Sequence, residues 1–291
     1  MSGSVFVTGA AGYVGSRLLP ALSSYRIYCL VRRKPVTPQP GVVFLEGDLL
    51  DRGVYAKALA ECETVVHLAA ATGKCRPEKY FQVNREGTRA LIEESRRSGV
   101  KNFLFISTIA AKFQDQHRYY YAQSKRQAEE IVAAAGLRFL VVRPTMIMGK
   151  GAAVLQGLSR LAAAPVIPIF GNGRAMVQPI AVDDLNGCLA KILEVGAFDN
   201  RTVEIGGPER LTMQELLLKI RRSQTGGAER VVHLPAGLIA GAVGMLESLM
   251  LPLLPFTAGQ IASFVNDGTA APDPWVAGWR PRMMTVDQML A

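Results

Sequence analysis

The 291-residue chain has little of what marks secreted, metal-binding or nucleic-acid-binding proteins. Its four cysteines, Cys29, Cys62, Cys75 and Cys188, stand at separations that match no zinc-ligand spacing. Three of them fall in or beside apolar segments, where a small reduced thiol belongs. No metal is expected, and the pattern fits a reducing, cytoplasmic setting. A strand begins at Ser4 or Val5, which leaves no room for the charged and apolar regions of a secretion signal. Long apolar runs are also scarce. Pro235 to Phe256 comes nearest, but it contains Glu247 and is interrupted by Pro252 and Pro255, so no transmembrane span is expected. Aromatic residues make up only 7%, and the net charge of +9 is spread in pairs such as Arg32-Arg33 and Arg221-Arg222. Without a basic stripe interleaved with aromatics, nucleic acid is not an expected partner. The positive field suits anionic small molecules instead.

What the chain does have is a 49% hydrophobic composition, enough for a large core. It opens on Val5-Phe6-Val7-Thr8-Gly9-Ala10-Ala11-Gly12-Tyr13-Val14-Gly15. This reads as a strand, a tight turn and the start of a helix. Gly9 serves the turn, Gly12 allows the main chain to approach a pyrophosphate, and Gly15 lets helix and strand lie close. A dinucleotide is the implied ligand. A second strand, 26–31, ends at Arg32-Arg33-Lys34 before a turn containing Pro35, Pro38 and Pro40. In a Rossmann arrangement an acidic residue at that strand end binds a ribose 2′-hydroxyl, whereas arginine accommodates a 2′-phosphate. Two arginines and no acid favour NADP(H) over NAD(H).

The alternation continues with strands over 42–46, 65–70, 103–107 and 139–142, and helices over 54–60, 83–98 and 122–135. The nearly all-apolar strands imply a parallel sheet covered on both faces. Beyond Arg143-Pro144 the order loosens. A strand over 177–182, a helix to about 195 capped by Asp183-Asp184, and a strand over 202–205 return to the sheet. Thr212 and Glu215 form a capping box for a helix over 211–221. The expected architecture is α/β, a doubly wound Rossmann sheet with a smaller C-terminal substrate-binding lobe. Its division is 1–148 with about 177–205 for the NAD(P)-binding part, and about 149–176 with 206–291 for the lobe.

Tyr121 and Lys125 lie four apart at the start of a predicted helix, so their side chains are neighbours. An ammonium beside a phenol favours phenolate and equips the tyrosine to exchange a proton with a carbinol or ketone. Ser107-Thr108 supplies hydroxyls at the carboxyl end of a strand, where open parallel sheets bind ligands.

These residues, with Gly9, Gly12 and Gly15, resemble the short-chain dehydrogenase/reductase superfamily. Further motifs resemble its extended branch, the NAD-dependent epimerase/dehydratase family. They are Gly47-Asp48-Leu49, Val66-His67-Leu68-Ala69-Ala70, Asn84-Arg85-Glu86-Gly87-Thr88, Arg143-Pro144-Thr145 and Val182-Asp183-Asp184-Leu185. The resemblance implies Thr108 as the catalytic hydroxyl, Tyr121 as acid/base, Lys125 as its helper and holder of the nicotinamide ribose, and Asn84 as support. It also implies cofactor contacts from Gly9, Gly12, Tyr13, Val14, Gly15, Arg32, Arg33, Asp48, Leu49, Leu68, Ala69, Ala70, Asn84, Ser107, Tyr121, Lys125, Pro144 and Thr145. His67, inside an apolar strand, is expected to serve the core or the cofactor pocket. Ile109 and Ala110 replace the Asp-Glu pair of sugar-nucleotide dehydratases, which disfavours that reaction, and Lys112-Phe113 replaces a Tyr-Gly pair common in sugar epimerases.

The stretch Ala164 to Gly173, followed by Gln178-Pro179, looks like a subgroup that includes the NADPH-binding accessory subunit of respiratory complex I. The leading expectation is an NADP(H)-dependent oxidoreductase that interconverts a ketone and a secondary alcohol. The alternatives are a sugar-nucleotide epimerase with retained NAD(P) and a non-catalytic NADPH-binding or assembly protein. Arg174 and Gln178 are candidate substrate contacts, for a carbonyl or alcohol that is nucleotide-linked or apolar. The stretch Pro235 to Phe256 is core, pocket wall or interaction surface, with a peripheral membrane contact or a homodimer interface among its readings.

Overall fold

The computed structural model describes all residues except 1–2, 36–38, 227–228, 252–253, 255 and 278–282. Pro38, Pro252 and Pro255, part of the proline punctuation noted above, lie outside the described residues. Six strands, β1 (Ser4–Thr8), β2 (Arg26–Val31), β3 (Val42–Glu46), β4 (Thr64–His67), β5 (Asn102–Ile106) and β6 (Arg138–Pro144), join Arg201–Ile205 in one seven-stranded sheet. From one edge the order is Arg201–Ile205, β6, β5, β4, β1, β2, β3, and every neighbouring pair is parallel.

Successive side chains of a strand point to opposite faces, and both faces here are apolar. Val5 and Val7 pack with Leu18, Leu22 and Ile192 on one face, while Phe6 packs with Tyr55, Leu91 and Phe103 on the other. The chain winds outward from β1 through β2 to β3, then returns to lay β4 on the opposite side of β1. Strand order reverses at the β1–β4 seam, so a crevice opens beyond the carboxyl ends of these two strands, the usual ligand position in such sheets. A third apolar cluster, including Leu158, Ile167, Ile169, Leu216, Ile220 and Ile261, builds the C-terminal region.

Several local details depart from the sequence expectations. β4 ends at His67, and Leu68 to Ala70 leave the strand. The expected helix over 83–98 is two pieces, a π-helical turn over Phe81–Glu86 and Gly87–Arg97, preceded by a short helix over Pro77–Tyr80 that the sequence did not suggest. The first helix ends at Leu18 and continues as a 3-10 turn over Leu19–Leu22, because Pro20 has no N–H to donate to the preceding turn. The expected strand over 177–182 is two short pairs, Met176–Val177 and Ile180–Ala181, separated by Gln178 and Pro179. Asp183 and Asp184 sit in the first turn of Val182–Val195 and do not cap it; Asp184 instead accepts the Met284 N–H at 2.7 Å. The Thr212–Glu215 capping box is present, opening Met213–Thr225.

Candidate functional site

The turn after β1 is shaped by its glycines. Gly9 has φ +74°, and a Cβ there would lie 2.6 Å from the Ala69 nitrogen. A Cβ on Gly15 would strike the Gly9 carbonyl. The Gly12 N–H donates to the Gly9 oxygen at 2.9 Å, closing the turn. The turn borders a cavity of about 420 Å³ whose wall also includes Arg32, Asp48, Leu49, Leu68, Ala69 and Ala70. Its position on the seam, its side-chain-free floor and its arginine fit a dinucleotide. Arg33 is exposed and lies outside that lining. The side chains of Tyr13 and Val14 turn away: Tyr13 donates to the Met148 carbonyl at 3.4 Å, and Val14 packs against the core.

Beneath the crevice lies a buried polar chain. Thr8 Oγ1 is 2.6 Å from His67 Nδ1, His67 Nε2 is 2.9 Å from Thr88 Oγ1, and Thr88 donates to the Asn84 carbonyl at 2.6 Å. Burial, helped by the Lys125 charge, pushes the His67 imidazole down to about 3, so it is neutral and structural. The π-helical turn carries Asn84 inward. Its Oδ1 accepts the Ala71 N–H at 2.7 Å, and its Nδ2 donates to Ala71 O at 3.1 Å and to Ser124 Oγ at 2.9 Å. Ser124 in turn donates to the Tyr121 carbonyl at 2.8 Å. Asn84 thereby ties the cofactor-side loop to the helix Tyr120–Ala133.

Tyr121 occupies the first turn of that helix and lines a cavity together with Thr108. Burial pushes the Tyr121 phenol up to about 12, and the Thr108 hydroxyl opposes the shift. Lys125 is only 1% exposed and donates to the Ile106 carbonyl at 2.6 Å, with its nitrogen 4.0 Å from the centre of the Phe105 ring. Burial brings its pKa down to about 7, against the pull of Glu129. Ser107 donates to Glu129, which also holds Arg143 through bonds of 2.9 and 2.6 Å. This leaves Thr108 as the hydroxyl that meets Tyr121.

Two further cavities meet at these aromatic rings. One, of about 290 Å³, is lined by Ser107, Thr108, Tyr121, Pro144 and Thr145. The other, of about 920 Å³, is lined by Tyr80, Arg118, Tyr119, Tyr121, Gly244 and Glu247, among others. It shares Thr72 and Cys75 with the dinucleotide-sized crevice. Arg118, which the sequence reading passed over, has a left-handed φ of +58°. Its Nη1 is enclosed without a hydrogen-bond partner among the described residues, and its guanidinium fills the space beside Gly244. Only its place just before the tyrosines could have flagged it.

The two candidate substrate contacts lie apart from the three cavities described. Gln178 is buried, its Nε2 donating to Gly207 O at 2.6 Å and its Oε1 accepting the Ala270 N–H at 2.9 Å. Both ends of its amide are committed to backbone, so it is a structural clamp. Arg174 stands exposed after the Gly173 turn and lines none of the three cavities described.

A family model described as the NAD dependent epimerase/dehydratase family matches residues 5–206. The ceramide reductase of Caulobacter vibrioides is 35% identical over 188 residues, which is 62% of this chain and 58% of the reductase. Subunit 9 of the NADH dehydrogenase [ubiquinone] 1 alpha subcomplex, from Arabidopsis thaliana mitochondria, is 25% identical over 263 residues, 86% of this chain and 64% of the subunit. The chain thus spans about three-fifths of the length of these curated relatives. The solved structure of UDP-glucuronic acid 4-epimerase from Bacillus cereus, with UDP-glucuronic acid and NAD, aligns over 99% of this chain and 96% of its own. The TM-score is 0.75 and the identity 18%, a likeness of fold.

Proposed function

This chain belongs to the NAD dependent epimerase/dehydratase family, and we propose that it is an NADP(H)-dependent oxidoreductase interconverting a ketone and a secondary alcohol. The observation that carries this reading is that Tyr121 and Thr108 line one cavity together at the sheet's carboxyl edge, with Tyr121 also lining the large cavity.

A bound nicotinamide dinucleotide supplies or accepts the hydride. The chain's own residues manage the oxygen. Thr108 holds the carbonyl oxygen against Tyr121, and the Tyr121 phenol donates the proton that turns the developing alkoxide into an alcohol. In the reverse direction the phenolate removes it. Tyr121 stands protonated at neutral pH, the state needed to give a proton to the carbonyl oxygen. Lys125, one helical turn after Tyr121, is held on the Ile106 carbonyl and carries a positive charge only in the fraction that stays protonated, and Asn84 fixes the Tyr121 backbone through Ser124. Gly9, Gly12, Gly15, Asp48, Leu49 and Leu68 to Ala70 form the cofactor cradle. Arg32 receives the 2′-phosphate, with Arg33 a second cation beyond it.

The substrate occupies the cavity of about 920 Å³, with Arg118 facing its polar end and the tyrosine rings facing its apolar part. The lobe built from about 149–176 and 206–291 forms the far wall. The relationship to a ceramide reductase supports an apolar carbonyl substrate over a nucleotide-linked one. Parallel titration of nucleotide-stripped protein with NADPH and NADH, followed by reduced-nicotinamide fluorescence, tests the cofactor assignment. NADPH binding at least about tenfold tighter supports it; equal or tighter NADH binding overturns it and brings forward an epimerase that keeps NAD(H) through its cycle.

A further inference from the structure

The helix Ala236–Met250 contains one charged residue, Glu247, in fifteen. Its inner side packs on the C-terminal core through Ile239, Ala240 and Val243. A surface helix ordinarily turns charged residues to water on its other side, and this one does not. Leu238, Gly241, Ala242, Met245 and Leu246 form an exposed outer face, with Leu238 at 74% and Met245 at 70% the most exposed large apolar side chains among the described residues. Val265 adds to this surface beside the helix start: Gly171 lies between Ala236 and Val265. A contiguous apolar patch of this kind marks an interaction surface.

The charges around the patch identify what covers it. The helix's C-terminal half, through Gly244 and Glu247, walls the large cavity, and Arg76 stands exposed on another part of the same wall. Exposed Lys74 donates to the Leu254 carbonyl at 2.7 Å, which places its ammonium at Leu254, four residues past the helix. Glu247 is turned inward to accept the Ala258 N–H. The patch is therefore aliphatic, with Lys74 and Arg76 outnumbering exposed Glu78 beside it, on a chain of net charge +9. A second copy would bring like charges together. An anionic lipid surface offers hydrocarbon to the aliphatic face and phosphates to the lysine and arginine. Among the described residues no helix is long and apolar enough to cross a membrane, so the contact is in the plane of the interface.

We infer that the outer face of Ala236–Met250 docks this protein on an anionic bilayer, with the mouth of the large cavity at the lipid surface. The docking does not depend on which reaction the site performs. Its test is co-sedimentation of the full chain with vesicles of phosphatidylcholine alone and of phosphatidylcholine with about a third phosphatidylglycerol. The wild type is expected to bind the anionic vesicles at least tenfold more tightly. Leu238→Glu with Met245→Glu, at two exposed positions, is expected to weaken binding at least tenfold while leaving the melting temperature and NADPH fluorescence titration unchanged. Lys74→Glu with Arg76→Glu is expected to abolish the preference for anionic vesicles. Absence of vesicle binding, or binding that the Leu238/Met245 variant retains, overturns the inference. So does a wild-type dimer that the same variant splits without any vesicle association, which assigns the face to a second copy.

Discussion

The Thr8 hydroxyl donates to His67 Nδ1 across 2.6 Å, joining the carboxyl ends of β1 and β4 at the seam where strand order reverses. The direction of this bond follows from its neighbours. Thr88 spends its proton on the Asn84 carbonyl, so His67 Nε2–H donates to Thr88 and Nδ1 is left to accept. Thr8 Oγ1 also accepts the Ala69 N–H at 3.2 Å. One neutral imidazole thus fixes the cofactor-side loop after β4 and, through Asn84, the helix bearing Tyr121.

That neutrality makes stability pH-dependent. His67 titrates near 3 in the folded chain and near 6.5 in the unfolded chain. The unfolded state therefore binds the extra proton between these values, and stability falls as pH drops through 6.5 toward 3. From pH 7 to pH 5 the contribution lost is about 2 kcal/mol. Urea unfolding at both pH values is expected to show a wild-type decrease that His67→Gln lacks by about this amount; equal decreases would contradict it.

Thr108 stabilises the phenolate of Tyr121 against burial. Thr108→Val is expected to lower kcat about tenfold to a hundredfold. Alcohol oxidation needs the phenolate, so the rising limb of its pH profile should move to higher pH. An unshifted profile would show that this hydroxyl does not tune the acid.

Arg32 lines the crevice beyond β2 and Arg33 does not. Arg32→Ala should weaken NADPH binding about tenfold or more, the scale of a lost charge-assisted hydrogen bond, with NADH nearly unaffected. Arg33→Ala should have the smaller effect. Fluorescence titration of both variants with both nucleotides checks the order.

Gln178→Leu leaves the Gly207 carbonyl and the Ala270 N–H unpaired in a buried setting. A stability loss of about 2–4 kcal/mol is expected, read by denaturant unfolding, with KM unchanged. A raised KM at unchanged stability would return Gln178 to the substrate site.

The sheet was legible because each strand is a local apolar run: β2 and β3 have the bounds their sequences suggest. β4 was read too long because Leu68 to Ala70 stay apolar after leaving the sheet, where they wall a cavity. The π-helical turn at Phe81–Glu86 was hidden because helical periodicity is blind to one widened turn. Tyr121 and Lys125 were legible through their spacing, and Thr108 through the resemblance to the family pattern. His67 was legible as a core residue, but its partners Thr8 and Thr88 were not, since they lie 59 and 21 residues away. Gln178 looked exposed to substrate because the backbone groups it satisfies lie 29 and 92 residues further along the chain.

The central claim is that Tyr121 exchanges a proton with the substrate oxygen during hydride transfer. Its most direct measurement is single-turnover reduction of a panel of apolar ketones by deuterated NADPH, with products analysed by mass spectrometry, for wild type and Tyr121→Phe. The account predicts deuterium on the carbinol carbon with the wild type. It predicts a rate at least about a hundredfold lower with Tyr121→Phe at unchanged NADPH affinity. Deuterium transfer that Tyr121→Phe performs equally well, or tight NADPH binding with no transfer to any ketone, would contradict it.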